Sequence, residues 1–391
     1  MSQRSLALTW SLSELHGWGL VGLHLCLYLA ELGIRPLLLE KPAMGGMRPQ
    51  NRDRLTPLLQ GYEAIRRLDA AQPAGQVLAL QEFDVLHALS NGFVAQALSA
   101  RFRGVRNIGI IAYEDTRVVG DVLQRAKSYD AMMVHSTFNK TLLEERGVEN
   151  LLLTFQGVDP TEMYPGSPQK RFGDRFVIFS GGKLEFRKGQ DIVLAAFRRF
   201  HQRHPEALLV TAWHNPWPAT AMGIAESALA PAAPKVGDDG RLRIVDWALE
   251  NGVPAAGFGD LGFLSRDKIA PALWECHAAV FPNRCEGATN LVAMEAMACG
   301  VPTVLSANTG HLDLIKGDNV FVLNQQTPVH NPDGGRNYWG ESSVDELVET
   351  LERIYTDHEE ARRRRAAALA FIHGERTWRK FAESVVAACR Q

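Results

Sequence analysis

The chain is short of cysteine. Its five thiols, Cys26, Cys276, Cys285, Cys299 and Cys389, form no CxxC pair and no Cys/His metal spacing. An odd, scattered set excludes a disulfide framework and a zinc module, and fits a reducing compartment with each thiol as a small buried hydrophobe. Charge of one sign is missing as well: 42 Lys and Arg stand against 44 Asp and Glu, a net charge of −2, so no global field argues for nucleic acid. Long hydrophobic runs are absent. The most apolar stretch, around 20–32, contains His24 and ends at Glu31, too short and too polar to span a bilayer. The opening "MSQRSLALTWSLSELHGW" lacks a run of signal-peptide length. A cytoplasmic protein is expected, with peripheral contact at the inner face of the membrane left open. No solenoid-period repeat or low-complexity tract is present. The basic run in "EEARRRR" reads as a solvated helix face, with anionic lipid or phosphate contact as the alternative.

What is present is a long alternation of strands and helices. At 391 residues the chain exceeds what one core usually supports, so two domains are expected. Short apolar strands are expected at 6–10, 34–40, 77–80, 107–113, 131–136 and 150–155, with helical periodicity between most of them. Pro, Gly and charge in "GVDPTEMYPGSPQKRFGDR" (157–175) then mark an interdomain linker. A second series follows at 175–182, 207–213, 278–282, 302–306 and 320–323, with helices over 189–203 and 291–299. The irregular "NPWPATAMGIAESALAPAAPKVGDDG" (215–240) interrupts it. The fold class is α/β, two doubly wound parallel sheets.

Three stretches carry chemistry. "HGWGLVG" has the spacing of a dinucleotide fingerprint in Gly17, Gly19 and Gly22, and Glu40 stands at the right distance for a ribose. The fingerprint needs its first glycine directly after the strand, but "SLSELH" intervenes, so the match is poor. In "FSGGKLEFRKGQDIVLAAF", Gly182, Lys183, Arg187 and Lys188 crowd the turn after a strand, which suits a phosphate site. In "FPNRCEGATNLVAMEAMACGVPTVLS", a loop containing Glu286 leads into a helix bearing Glu295. Amides at that helix start suit phosphate, and a carboxylate one turn in suits a vicinal diol.

"CEGATNLVAMEAMACGVPTVLS" resembles the donor signature of the retaining family 4 glycosyltransferases, and "GGKLEFRKG" and "NLLLTFQGVDPTEMYP" resemble two further stretches of that family. The resemblance implies a GT-B fold: an acceptor-side domain over 1–165, a donor-side domain over 166–375, and a C-terminal helix over 376–391 returning to the first. It implies a hexosyl transfer from a nucleoside-diphosphate sugar to a glycan or lipid-linked saccharide, as in polysaccharide biosynthesis. Lys183 and Lys188 would neutralise the diphosphate, Glu286 would contact the sugar, and Gly287, Ala288, Thr289, Asn290 and Leu291 would offer amides. Glu295 would hold the ribose, and Phe263 and Leu264 would face the base. Gly17 and Gly19 resemble the family's loop facing donor phosphates and acceptor. Catalytic roles fall to Glu286, Lys188 and Glu114. His16, His87 and His311 are further candidates for the cleft, and Arg48, Arg52 and Arg54 for the acceptor side.

This chain departs from the family in three places. Eight residues separate Glu286 from Glu295 where the family has seven. Glu114-Asp115 stands where many relatives have histidine. No Asp-x-Asp suggests a metal-bound donor, since Asp238-Asp239 reads as a turn, so neither cofactor nor metal is expected. Two alternatives share the architecture: a sugar-nucleotide 2-epimerase, and a non-catalytic binder of glycan or nucleotide.

Overall fold

A computed structural model describes residues 5–73 and 75–390. They divide into two units: one runs to Gly157 and resumes at Arg376, and the other spans Val158–Glu375. The first unit contains, in chain order, β1 (Ser5–Leu8), α1 (Gly17–Glu31), β2 (Leu37–Leu38), α2 (Pro49–Leu55), α3 (Leu59–Ala70), β3 (Leu78–Ser90), β4 (Val94–Ala95), β5 (Phe102–Ile111), α4 (Gly120–Lys127), β6 (Ala131–Val134), α5 (Thr137–Glu145) and β7 (Leu151–Leu153). The sheet order is β2-β1-β3-β5-β6-β7, parallel throughout, with β4 antiparallel on β3. The chain reverses direction across the sheet at β1, so the loop after β1 occupies the switch point where such sheets bind ligands.

The fingerprint glycines serve that loop. A Cβ on Gly19 would lie 2.0 Å from Ser13 Oγ, and one on Gly22 would lie 2.5 Å from Leu12 Cδ2. These glycines let residues 10–13 lie directly on α1. Gly17 only begins the helix, whose N-cap His16 accepts from Gly19 N–H at 3.1 Å through Nδ1.

The strand expected over 77–80 continues to Ser90. Exposed Gln81 and Glu82 sit where the register against β5 shifts, between Leu80 and Asp84, and so break the alternation. His87 is therefore a core residue of β3, which corrects its reading as a cleft candidate. It is fully buried, with Ser99 Oγ 2.8 Å from Nδ1 and Asn107 Oδ1 3.1 Å from Nε2.

The second unit contains β8 (Val177–Gly181), α6 (Gln190–Arg203), β9 (Leu208–Ala212), α7 (Ile244–Glu250), β10 (Phe258–Asp260), α8 (Arg266–Leu273), β11 (Ala278–Phe281), α9 (Leu291–Ala298), β12 (Thr303–Ser306), β13 (Phe321–Leu323), the hairpin β14 (Gln326–Pro328) and β15 (Gly340–Ser342), α10 (Val344–Thr356) and α11 (His358–Glu375). Its main sheet is parallel in the order β10-β9-β8-β11-β12-β13, so the reversal falls at β8. One apolar layer unites Trp213 and Trp247 with α6 and α10, and another packs α9 and α11 under Phe179 and Phe281. The irregular 215–240 segment takes 3-10 turns over Pro218–Glu226, and its Ala221, Ile224 and Ala230 are fully buried in the first layer. Asp239 Oδ1 accepts from Arg241 N–H at 3.1 Å within a turn. On α11, Arg362 pairs with Glu359, Arg363 with Asp318 and Arg364 with Glu360.

The last helix, α12 (Trp378–Cys389), belongs to the first unit. It covers α1, a helix with no charge before Glu31, and the Trp378 ring stacks on His24 at 5.0 Å.

Candidate active site

Close packing at glycine builds the site at the carboxyl end of β8. Gly189 enters α6 at φ 69°, and a Cβ there would lie 2.2 Å from the Pro282 carbonyl oxygen. Glycine is needed twice over, for the left-handed conformation and for the approach to the loop after β11. A Cβ on Gly181 would meet Val292 Cγ1 at 2.7 Å, so the start of α9 rests on the end of β8. Between these contacts Gly182 takes φ 106°, and Phe186–Lys188 form a 3-10 turn.

That turn gathers three cations around two carboxylates. Glu185 binds Lys183 Nζ and Arg187 Nε, each at 2.8 Å. Glu286 binds Lys188 Nζ, and Arg187 Nη1 at 3.3 Å. Asn283 Nδ2 also donates to Glu286, which is only 4% exposed. Burial alone would raise this carboxyl, but Lys188 and Arg187, with His311 behind them, outweigh it and hold the group at about 2. Burial likewise pushes the Lys188 ammonium below its ordinary value, against the pull of Glu286. The pair is ionised and desolvated, and across the turn three cations are set against two carboxylates.

The loop is fixed from behind. Glu286 N–H donates to Thr309 Oγ1 at 2.8 Å, and Gly310 N–H donates to the Glu286 carbonyl at 3.0 Å. Asn290, at φ 67°, caps α9 by accepting from Ala293 N–H at 3.3 Å through Oδ1. Its Nδ2 therefore faces His311 Nε2, 3.0 Å away, and the imidazole hydrogen lies on Nδ1 toward Ser306 Oγ at 2.9 Å. Burial holds His311 at about 4, so it is neutral and positions the α9 cap. Thr289 is buried against Met294 Sδ, Ala288 is buried, and Leu291 opens the helix half-buried.

Glu295 is buried and bound by Arg266, which also reaches Glu162 at 3.3 Å. Burial would lower the Arg266 guanidinium, but the two glutamates raise it above its ordinary value. After β10, half-exposed Phe263 packs edge-on to His214 at 5.7 Å, followed by Leu264.

Comparison with known proteins decides what this arrangement belongs to. Residues 167–370, more than half of the chain, match the family described as Glycosyl transferases group 1. The chain belongs to the group 1 glycosyltransferases. It is 25% identical over 354 residues to a D-inositol 3-phosphate glycosyltransferase of Stackebrandtia nassauensis, covering 83% of this chain and 70% of that one. Among solved structures, sucrose-phosphate synthase of Thermosynechococcus elongatus superposes with a TM-score of 0.67 at 17% identity, covering 99% of this chain and 98% of the other. Anabaena HepE in complex with UDP and glucose superposes at 0.64 with 15% identity, over 99% of this chain and all (100%) of that one. The fold is GT-B.

In this group 1 glycosyltransferase the structure brings together Gly182, Lys183, Lys188, Glu286 and the 287–291 loop, and sets Glu295 against Arg266. Gly17, Gly19, His16 and Glu114 lie in the first unit. Glu114 is half-buried in the loop after β5, beside the Asp115–Arg117 ion pair. Buried Glu14 receives Arg48 Nε at 3.1 Å and Asn51 Nδ2 at 2.6 Å, tying the β1 loop to the start of α2. Arg54 pairs with Glu31, while Arg52 is exposed on α2. Sequence reasoning missed Arg187 as a partner of Glu286, and it missed Asn283, Thr309 and Arg266. Arg187 adjoins Lys188 and Asn283 lies in the stretch that carries Glu286, so both stood beside the motifs. Arg266 carries no local signal, because its partners lie 29 and 104 residues away.

Proposed function

We propose that this transferase moves a hexose from a nucleoside-diphosphate sugar to a hydroxyl of a glycan or lipid-linked saccharide, with retention at the anomeric carbon and without a metal. The observation that carries the reading is the Lys188–Glu286–Arg187 cluster at the β8 switch point. In support, the neighbouring HepE structure holds UDP and glucose.

On this reading Lys183, Arg187, Lys188 and the amides of Gly287 to Leu291 hold the diphosphate. Its arrival gives the cations an anionic partner and releases Glu286 to accept from the sugar's hydroxyls. Glu295 accepts from the ribose diol beside Arg266, and the base lies at Phe263 and Leu264. The acceptor oxygen bonds to the anomeric carbon as that carbon's bond to the diphosphate oxygen breaks, through an oxocarbenium-like state. The acceptor's proton passes to the leaving phosphate. The cations stabilise the departing charge, the task a metal performs elsewhere. The first unit supplies the acceptor side, with Gly17, Gly19, Glu114 and the 41–72 segment.

Incubation with UDP-, GDP- and ADP-hexoses tests this, with NMR following the anomeric centre. Nucleoside diphosphate release with a retained α configuration, insensitive to EDTA, is the expected result. Isomerised donor would identify an epimerase, inverted product would overturn retention, and EDTA arrest relieved by Mn²⁺ or Mg²⁺ would overturn metal independence.

A further inference from the structure

The turn that carries Arg187 and Lys188 is held from outside by two segments far apart in the chain. One is residues 215–227, and the other is the β14–β15 hairpin. Both close on Phe186, the first residue of the turn. The Arg284 guanidinium lies over one side of the Phe186 ring at 4.0 Å, and that of Arg336, from the hairpin loop, lies at 4.9 Å. Arg336 also makes a two-pronged pair with Glu226, at 2.8 and 3.1 Å. This outer clasp joins the hairpin loop to the 215–227 segment directly over the turn.

A buried chain of bonds runs beneath it. Ser227 Oγ donates to Asp191 Oδ2 at 2.5 Å, and Asp191 receives both Arg284 Nη1 and Nη2, at 2.8 and 2.6 Å. Arg284 Nη2 reaches Glu341 of β15 at 2.6 Å, and Nη1 donates to the Phe186 carbonyl at 2.7 Å. The Arg284 N–H donates to the Arg187 carbonyl at 2.7 Å, while its own carbonyl accepts from Gly340. Segment 215–227 touches the turn on the Lys183 side as well. Asn215 Nδ2 donates to the Leu184 carbonyl at 3.0 Å, and the Trp217 ring lies 5.0 Å from Lys183 Nζ.

Glu185 and Glu286 hold the three cations by ion pairs, but a diphosphate that draws Lys188 and Arg187 away from Glu286 leaves their placement to the backbone of the turn. Holding them in place before the anion arrives spares the binding step the cost of ordering them. We propose that the 215–227 segment and the β14–β15 hairpin form a brace whose outer clasp, Arg336–Glu226, sets the affinity of the Arg187–Lys188 turn for the donor diphosphate. The proposal rests on the donor-site reading above. Arg336 and Glu226 are positioning residues that act through Phe186.

Arg284 is unsuited to a test, because removing it strands Asp191 in the core. The clasp is half-exposed and replaceable. Calorimetry first establishes which of UDP, GDP and ADP the wild-type protein binds. Arg336→Ala and Glu226→Ala are then expected to weaken that nucleotide five- to twenty-fold and to raise KM for the sugar nucleotide, with kcat changed less than two-fold. Arg336→Lys, which keeps a cation for both Phe186 and Glu226, should retain most of the affinity. Thermal melts accompany each variant. A lowered melting temperature with nucleotide affinity intact would show a purely structural clasp and overturn the proposal. No binding of any nucleotide by the wild type would overturn the donor-site reading, and the brace with it.

Discussion

Glu295 and the buried histidines show how burial sets the chemistry of single residues. A ribose diol donates to a carboxylate more strongly than to an amide, so Glu295→Gln should weaken nucleoside diphosphate binding by about 1–2 kcal/mol. It also leaves buried Arg266 with Glu162 alone, so the melting temperature should fall. Calorimetry and melting on the same variant check both, and unchanged affinity would remove Glu295 from the ribose. His87, His135 and His311 are each held at about 4, chiefly by burial. The folded state keeps them neutral while the unfolded chain takes up protons below pH 6.5. Stability should therefore fall as pH drops from about 6.5 to 4, by on the order of 3 kcal/mol per histidine. Glu286, held at about 2, adds a further loss below about pH 4.5. Denaturant titrations at several pH values measure this, and a flat profile between pH 7 and 4.5 would contradict it.

At the scale of elements, the β8-to-α6 turn depends on glycine. Gly189→Ala forces a Cβ into a left-handed conformation and onto the Pro282 carbonyl, at a cost of about 2 kcal/mol or more. Melting temperature and nucleotide affinity should fall together, and a variant with both unchanged would show that the turn can shift at no cost. Elements such as this were legible in the sequence, because a fully buried parallel strand reads as an unbroken apolar run. The strands expected at 175–182, 207–213, 278–282 and 302–306 are β8, β9, β11 and β12, and the cations and Glu286 follow from their ends. What escaped notice had no periodicity to show. β10, β14 and β15 are three residues long, and the continuation of β3 from Leu80 to Ser90 hid behind its register shift. Arg284 has no local signal, because its partners Asp191 and Glu341 are 93 and 57 residues distant. The glycine spacing at 17–22 was visible but ambiguous. Only the loop at Leu12 and Ser13 reveals that Gly19 and Gly22 answer to packing.

For the whole molecule, two parallel sheets each place a loop at a switch point, after β1 in one unit and after β8 in the other. No described helix is long and apolar enough to cross a membrane. On the proposed function, the loops after β8 and β11 receive a nucleoside diphosphate through Lys188 and Arg187 while Glu286 attends to the sugar. A nucleotide titration of the wild type, Lys188→Ala and Glu286→Gln measures it most directly. Lys188→Ala should lose about 1.5–3 kcal/mol of affinity, ten-fold or more in Kd. Glu286→Gln should bind the free nucleoside diphosphate as well as wild type or better, because its cations are released, and should lose turnover of the sugar nucleotide. Equal loss of nucleotide affinity in both variants, or none in either, would contradict the account.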